Sequence, residues 1–304
     1  MAYSLAGLTN NYTKEDAKSL IYKTIAEGTT ASLMKIQSGI KSSESINIVA
    51  TEGVWQGKTA CNPTASGTTT FSQRDIAVGA VSVILEWCEE SLETYYIQGA
   101  MKAGSVYTDL TFRTQILDDV KQNIIKRKEL AIWQGDLTAG SAYLNKFDGL
   151  IAIITAASAS TQNATPVAWS SANSRTAVKN ALSAITDDMY ASAGNNLKMF
   201  MGTSEARDYR QKLMDDNLYH FTGAEQKLYA ENSDIEIIPV IGLSGTKKVY
   251  VMSPDNMYLG TDLANEEEKF DLKVLENEKL RLTVKFKYGV QIAFPDQVVA
   301  QVNT

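Results

Sequence analysis

Lys279-Leu280-Arg281-Leu282-Thr283-Val284-Lys285-Phe286-Lys287-Tyr288-Gly289-Val290-Gln291-Ile292-Ala293-Phe294 carries an apolar side chain at every even position from Leu280 to Phe294. The intervening positions are mostly basic or polar. Successive side chains of a strand point to opposite faces, so this stretch reads as antiparallel strand half-buried on a core, with Tyr288-Gly289 as the place for a break. Working upstream, the segments 248–252, 235–241 and 197–201 read as further strands and 204–215 as a helix. From Ser174 an amphipathic helix is expected, with Val178, Leu182, Ile185 and Met189 on one face. Asp148-Gly149-Leu150 opens an apolar segment, read as a strand ending near Ala156, and the Ser-, Thr- and Ala-rich residues 157–171 read as a surface loop or a crossing between lobes.

Further upstream lies the longest helical pattern, about residues 107–133, with Leu110, Leu117, Val120 and Ile124 as its apolar stripe. Lys121 and the run Lys126-Arg127-Lys128 fall off that stripe or at its end, where basic groups suit the helix dipole. Gln134-Gly135-Asp136 stops the helix. Residues 76–87 are β-prone, and Ile46-Asn47-Ile48-Val49 is a short strand candidate. Between them, 51–72 is rich in Gly, Thr, Ser and Ala and lacks helical period. So long a stretch suggests a projecting loop or hairpin that finds its partners outside its own subunit. The first 40 residues read as a helical arm, opened by a capping-box-like Thr13 and Asp16 and continued by Ala17, Leu20, Ile21, Ile25, Leu33, Ile36 and Ile40.

Composition bounds the function. At 304 residues the chain is long enough for a large core, and 44% hydrophobic with 21% charged residues is globular usage. Cys61 and Cys88 cannot make a disulfide framework, so a reducing compartment is expected. The first residues lack a signal-peptide pattern, and the apolar runs are far shorter than the ~18 residues a membrane helix needs. A net charge of -6 has the wrong sign for a dedicated nucleic-acid reader. Any contact with nucleic acid is expected to be local and non-specific, and no repeat of 20 to 50 residues appears.

Chemical motifs are weak. Gly53-Val54-Trp55-Gln56-Gly57-Lys58-Thr59 looks like a phosphate loop, but three residues separate its glycines where four are needed, and Cys61-Asn62-Pro63 does not start a helix. His220 is the sole histidine, which rules out multi-histidine metal sites. Gly242-Leu243-Ser244-Gly245-Thr246 lacks the spacing of a nucleophile elbow and lies in what reads as a hairpin. A Cys61 or Cys88 pair with His220 stays open on sequence grounds, with a packed or loop cysteine as the commoner case. The acidic runs Asp187-Asp188 and Glu266-Glu267-Glu268 lack calcium-loop spacing and read as solvated surface. No catalytic residue, cofactor or metal is assigned. Trp55, an aromatic in a stretch of small residues, is instead a candidate interface anchor.

The order of these parts resembles the major capsid protein family of tailed bacteriophages, the Hong Kong 97 type fold that encapsulin shells also use. The resemblance rests on the arm, the extended segment, the long helix ending Glu129-Leu130-Ala131-Ile132-Trp133-Gln134-Gly135-Asp136, and the phrases Phe147-Asp148-Gly149-Leu150, Met257-Tyr258-Leu259-Gly260-Thr261-Asp262 and Tyr288-Gly289-Val290-Gln291-Ile292-Ala293-Phe294-Pro295-Asp296-Gln297-Val298-Val299. It implies an α+β chain with an N-terminal arm (1–45), an extended loop (46–75), a peripheral domain with a spine helix (76–150 and 265–304) and an axial domain (151–264). It further implies a non-enzymatic subunit of hexamers and pentamers in an icosahedral shell around double-stranded DNA, assembled in the host bacterial cytoplasm. Scaffolding by a separate protein, a portal, and decoration proteins are the other expected partners, and no membrane is involved. Some relatives cross-link a loop lysine to a neighbour. Lys58 is the sole lysine between 46 and 75, so it alone could play that part; an ordinary exposed lysine is the plain alternative. Trp55, Lys58 and Arg74 are the candidate inter-subunit contacts. The rival functions are an encapsulin-like compartment with a protein cargo and a nucleotide-binding enzyme using 53–59.

Overall fold

The computed structural model describes residues 28–55, 66–88, 109–138, 143–193, 196–218, 227–262, 270–274 and 279–302. The expected Thr13 cap, Lys58, Cys61, His220 and the acidic run at 266–268 lie outside the described residues, as do the side chains of Leu110 and Leu117. The alternating stretch forms one strand, β12 (Lys279–Ile292), of 14 residues, so the break expected at Tyr288-Gly289 is absent. The discontinuity lies in its partners instead. β4 (Gly79–Cys88) follows one edge of β12 as far as Tyr288. The other edge is shared by β11 (Phe270–Val274), opposite residues 280–284, and β10 (Met257–Thr261), opposite 288–292. A Cβ at Gly289 would meet the Ala77 carbonyl oxygen at 2.0 Å, so this glycine permits a close backbone approach and is not a turn. Leu282, Val284, Phe286, Tyr288, Val290 and Ile292 are buried on one face, as the alternation requires.

β1 (Lys35–Ser38) pairs in parallel with β10. The helical arm expected through residue 40 is therefore corrected: residues 28–34 form turns and 35–38 a strand. The spacing of Leu33, Ile36 and Ile40 fits a helix, but pairing on the exposed edge of β10 satisfies the backbone, and that tertiary gain overrides local period. Ile40 is buried, whereas Ile36 is exposed.

α1 (Asp109–Gln134) is 26 residues long and buries Val120, Ile124, Ala131, Ile132 and Trp133. It ends where Gly135 and Gly149 meet: the Gly149 amide donates to the Gly135 carbonyl at 2.9 Å, and a Cβ on Gly149 would lie 2.7 Å from the Gly135 nitrogen. The apolar segment that follows is a helix, α2 (Leu150–Ala156), and not the strand expected. A seven-residue run whose sole polar side chain is Thr155 has no period to decide between the two. Here Leu150 and Ile154, one turn apart, are the buried pair, and the Ile153 amide donates to Gly149.

A second sheet has the order β5 (Gln162–Asn163), β13 (Val299–Gln301), β9 (Val249–Met252), β6 (Lys198–Gly202), β8 (Glu236–Val240) and β7 (Leu228–Tyr229). The helix expected over 174–189 is two helices, α3 (Ser174–Ser183) and α4 (Asp187–Ala193), because residues 184–186 turn and the Thr186 carbonyl accepts from the Met189 amide. Val178 and Met189 are still both buried. α3 packs on α5 (Thr203–Asp215). β8 and β9 flank β6 on opposite sides. The segment 242–246 is therefore a crossing over the end of β6 and not a hairpin.

The long helix meets the second sheet at Trp133. Its ring stacks on Tyr250 at 5.8 Å and lies 5.6 Å from Phe200, while its indole N–H donates to the Thr30 hydroxyl at 2.9 Å. Burial pushes the Tyr250 phenol above its ordinary pKa, as expected of a hydroxyl enclosed in this core.

Candidate assembly surfaces

β2 (Ser43–Gly53) and β3 (Gly67–Ala77) form an antiparallel hairpin of 11 residue pairs, from Ser43 opposite Ala77 to Gly53 opposite Gly67. At its base one face is anchored: Ile46, Ile48 and Ile76 are buried with Ile40 and Ala293. The opposite face carries a ladder of cross-strand partners. Ser45 donates to Asp75 at 2.6 Å, Gln73 donates to Asn47 at 2.7 Å, and the Thr51 and Thr69 hydroxyls lie 3.3 Å apart. Between these polar rungs sits one apolar pair, Val49 opposite Phe71. Phe71 is 75% exposed and Trp55, just beyond the last rung, is 100% exposed.

The hairpin thus extends about 33 Å at ~3.3 Å per residue, while its anchored side chains end at Ile48. A two-stranded hairpin in water is marginal by itself, and exposed aromatic side chains on one are a surface that gains by being covered. Trp55 stands where the sequence places it, on a projecting element. Arg74 lies opposite Ile46 near the base, half-buried, with no ion pair among the described residues. Trp55 and Arg74 are therefore at opposite ends of the hairpin and form no single cluster. Phe71 was missed at the sequence level; its signal was a lone aromatic within Thr68-Thr69-Thr70-Phe71-Ser72.

On the body, a cavity of about 620 Å3 lies between α1 and the β4–β12 face. Val83 and Leu85 of β4, Val120 and Ile124 of α1, and Phe286 supply apolar lining, and Arg127, Lys128 and Lys146 bring positive charge. Lys126-Arg127-Lys128 does not sit at the helix end, which falls at Gln134, so the dipole reading of this run is corrected. The three residues separate by function: Lys126 and Arg127 are exposed, whereas Lys128 is 5% exposed with its ammonium 5.9 Å from the Tyr288 ring centroid. Arg127 stacks over Tyr143 at 5.6 Å. Burial, reinforced by the Glu129 carboxylate, pushes the Tyr288 phenol well up, and its hydroxyl has no hydrogen-bond partner among the described residues. None of these groups was marked by sequence as lining a cavity, because four separate segments, 80–85, 120–131, 143–147 and 286–288, contribute them.

The arm joins the body at a latch. Glu129, 3% exposed, accepts from the amides of Thr30 at 3.0 Å and Ala31 at 3.4 Å. Gly28, at φ +133°, lies so close that a Cβ would meet the Glu129 carboxylate oxygen at 2.4 Å.

The described parts of the enzyme-like motifs take structural places. Ser244 lies 3.1 Å from the Ser204 hydroxyl, and Glu205 accepts from the Lys247 amide at 3.0 Å, so the 242–246 segment fastens a crossing. Gly53 pairs with Gly67 inside a hairpin, not at a strand-to-helix turn. Asp187 and Asp188 occupy the first turn of α4, where the helix dipole favours acidic groups. Among the described residues no cluster of three or more His, Cys, Asp or Glu is placed to hold a metal ion, and no helix is long and apolar enough to cross a membrane.

No family model and no curated protein sequence matches this chain. Solved structures do. The satellite phage P4 procapsid that includes the size determination protein matches with TM-score 0.66 at 9% identity, over 98% of this chain and 95% of that one. The capsid of an empty GTA particle matches with TM-score 0.57 at 12% identity, over 91% and 90%. The capsid of Myoviridae phage XM1 matches with TM-score 0.53 at 10% identity, over 90% of each. The three likenesses cover 98%, 91% and 90% of this chain. The chain has the α+β fold of tailed-phage capsid proteins, the Hong Kong 97 type.

Proposed function

We propose that this chain is a major capsid protein, a structural and non-enzymatic subunit that assembles through hexamers and pentamers into the icosahedral head of a tailed phage. One observation carries the reading: in a chain with a capsid fold, the outer half of the β2–β3 hairpin exposes Val49, Phe71 and Trp55, and none of the described residues of the body covers them. Head-to-tail contacts between such a projection and a second subunit close into rings when the rotation allows. Many modest contacts then add by multivalency.

In this reading residues 1–45 are the arm, 46–75 the extended loop, 76–150 with 265–304 the peripheral domain, and 151–264 the axial domain. A separate scaffolding protein, a portal and decoration proteins are its partners, and the genome touches it non-specifically through cations such as Lys126. Trp55, Lys58 and Arg74 contact neighbours. The protein resides in the virion capsid after assembly in the bacterial cytoplasm. The encapsulin-like rival differs in content, a protein cargo in place of DNA. The nucleotide-binding rival is disfavoured by the hairpin pairing of Gly53.

Size-exclusion chromatography with light scattering tests the proposal, using the purified chain alone and co-expressed with the scaffolding gene of its own locus. Capsomer or shell masses are expected in at least one arm. A monomer in both arms overturns the reading, and shells that co-purify protein and exclude DNA transfer it to the compartment class.

A further inference from the structure

We propose that the cavity between α1 and β4 is a binding site for a single-chain amphiphilic anion, a medium-chain fatty carboxylate, with its carboxylate beside Arg127 and Lys146 and its tail along Val83 and Leu85. The site belongs to the subunit by itself and does not depend on the assembly reading.

The lining is sorted by chemistry. Lys128 lies over Tyr288, which pairs with Gly79 at the start of β4. A Cβ on Gly79 would meet the Lys146 carbonyl oxygen at 1.9 Å, so the segment carrying Lys146 closes on the same end. Arg127 stacks on Tyr143, three residues before Lys146. The basic groups therefore gather at the Gly79 end of β4. Val83 and Leu85 lead away from it, ~16 Å from Ala80 to Leu85 at ~3.3 Å per residue. Val120 and Ile124 line the cavity from the turns of α1 that precede the basic run, and Val120 stands ~10 Å before Arg127 at 1.5 Å per residue.

An amphiphilic anion answers both ends. No aspartate or glutamate lines the cavity, so a carboxylate meets cations without a competing acid from the wall. Arg127 and Lys146 are exposed and can reach a headgroup, and a guanidinium matches a carboxylate with two parallel donors. Lys128, 5% exposed, adds positive charge within the wall, where water screens it least. At the far end Val83 and Leu85 are only half-buried by their own chain. A hydrocarbon tail covers that surface and gains in proportion to the apolar area removed from water. The volume, about 620 Å3, is within the range of small-molecule sites.

Calorimetric titration of the purified full chain tests the site, using hexanoate, octanoate and decanoate below their micellar concentrations. One saturable site per chain is expected, with affinity rising about fourfold for each added methylene. Decyltrimethylammonium, which has the same tail under a positive head, should not compete with decanoate. Arg127→Glu with Lys146→Glu should weaken decanoate at least about tenfold, as loss of charge-assisted hydrogen bonds does, and leave thermal unfolding of the subunit unchanged. Decanoate bearing a diazirine at its tail end locates the ligand on the unaltered chain, without recourse to a variant that could misfold. Photolabel on peptides holding 83–85 or 120–124 is expected. Absence of saturable binding, affinity indifferent to chain length, equal competition by the cationic amphiphile, or photolabel elsewhere each overturns the site. The assembly reading stands or falls separately, by the light-scattering test above.

Discussion

The lobe around the second sheet and the β2–β3 hairpin solve the same problem in opposite ways. In the lobe, β6 lies between β8 and β9 with Met199, Phe200 and Met201 fully enclosed, and charged groups at its surface find partners within the lobe. Arg175, for example, donates to Glu231 at 2.6 Å and to Asp216 at 3.1 Å. The hairpin also satisfies its backbone, rung by rung, but its apolar side chains beyond Ile48 are left to solvent. The lobe closes on itself, whereas in the proposed function the hairpin closes on a partner. Substitutions in the two regions should therefore fail in different assays.

The largest effect is expected for the hairpin, in assembly alone. Phe71→Thr, which keeps a strand-favouring residue opposite Val49, should leave denaturant unfolding of the subunit unchanged within error and abolish particles seen by light scattering at wild-type concentration. A large loss of subunit stability would break the contrast. Next, Trp133→Ala should cost about 3–5 kcal/mol in urea unfolding, because it empties the junction where Tyr250 and Phe200 pack. Glu129→Ala should cost about 1–3 kcal/mol by orphaning the buried amides of Thr30 and Ala31. Hydrogen exchange should show those amides opening while β12 stays protected.

The smallest effect concerns acid. The Arg175 guanidinium holds the Glu231 carboxyl below its ordinary 4.5, and the Lys212 ammonium, helped by Arg175, holds Asp216 below 3.8. Depressed folded-state values mean that this stabilisation is complete above the ordinary carboxylate range and is lost as pH falls through the folded values. These groups are partly exposed, so the contribution is small and weakened by salt. Glu231→Gln should flatten the acid limb of a stability-against-pH curve measured at low ionic strength, and an unchanged limb would remove this network from the account.

Legibility followed the strength of local pattern. The alternation from Leu280 to Phe294 and the long helix before Gln134-Gly135-Asp136 could be read because many residues repeat one period. Leu150 to Ala156 could not, because an apolar run broken by Thr155 alone carries no period. The arm junction misled for a different reason: Leu33, Ile36 and Ile40 have a helical spacing in sequence, but a sheet edge in space claims residues 35–38. Of the site, Trp55 was visible as an aromatic among small residues. The cavity and the buried Lys128 were not, since burial of a lysine over Tyr288 depends on the meeting of α1 and β12, more than 150 residues apart in the chain.

Electron microscopy of the purified chain, alone and co-expressed with the scaffolding protein proposed for it, tests the central claim most directly. The account predicts capsomer rings or closed particles in which the β2–β3 hairpin of each subunit lies against a second copy. Dispersed monomers in both preparations, at the highest soluble concentration, would contradict it.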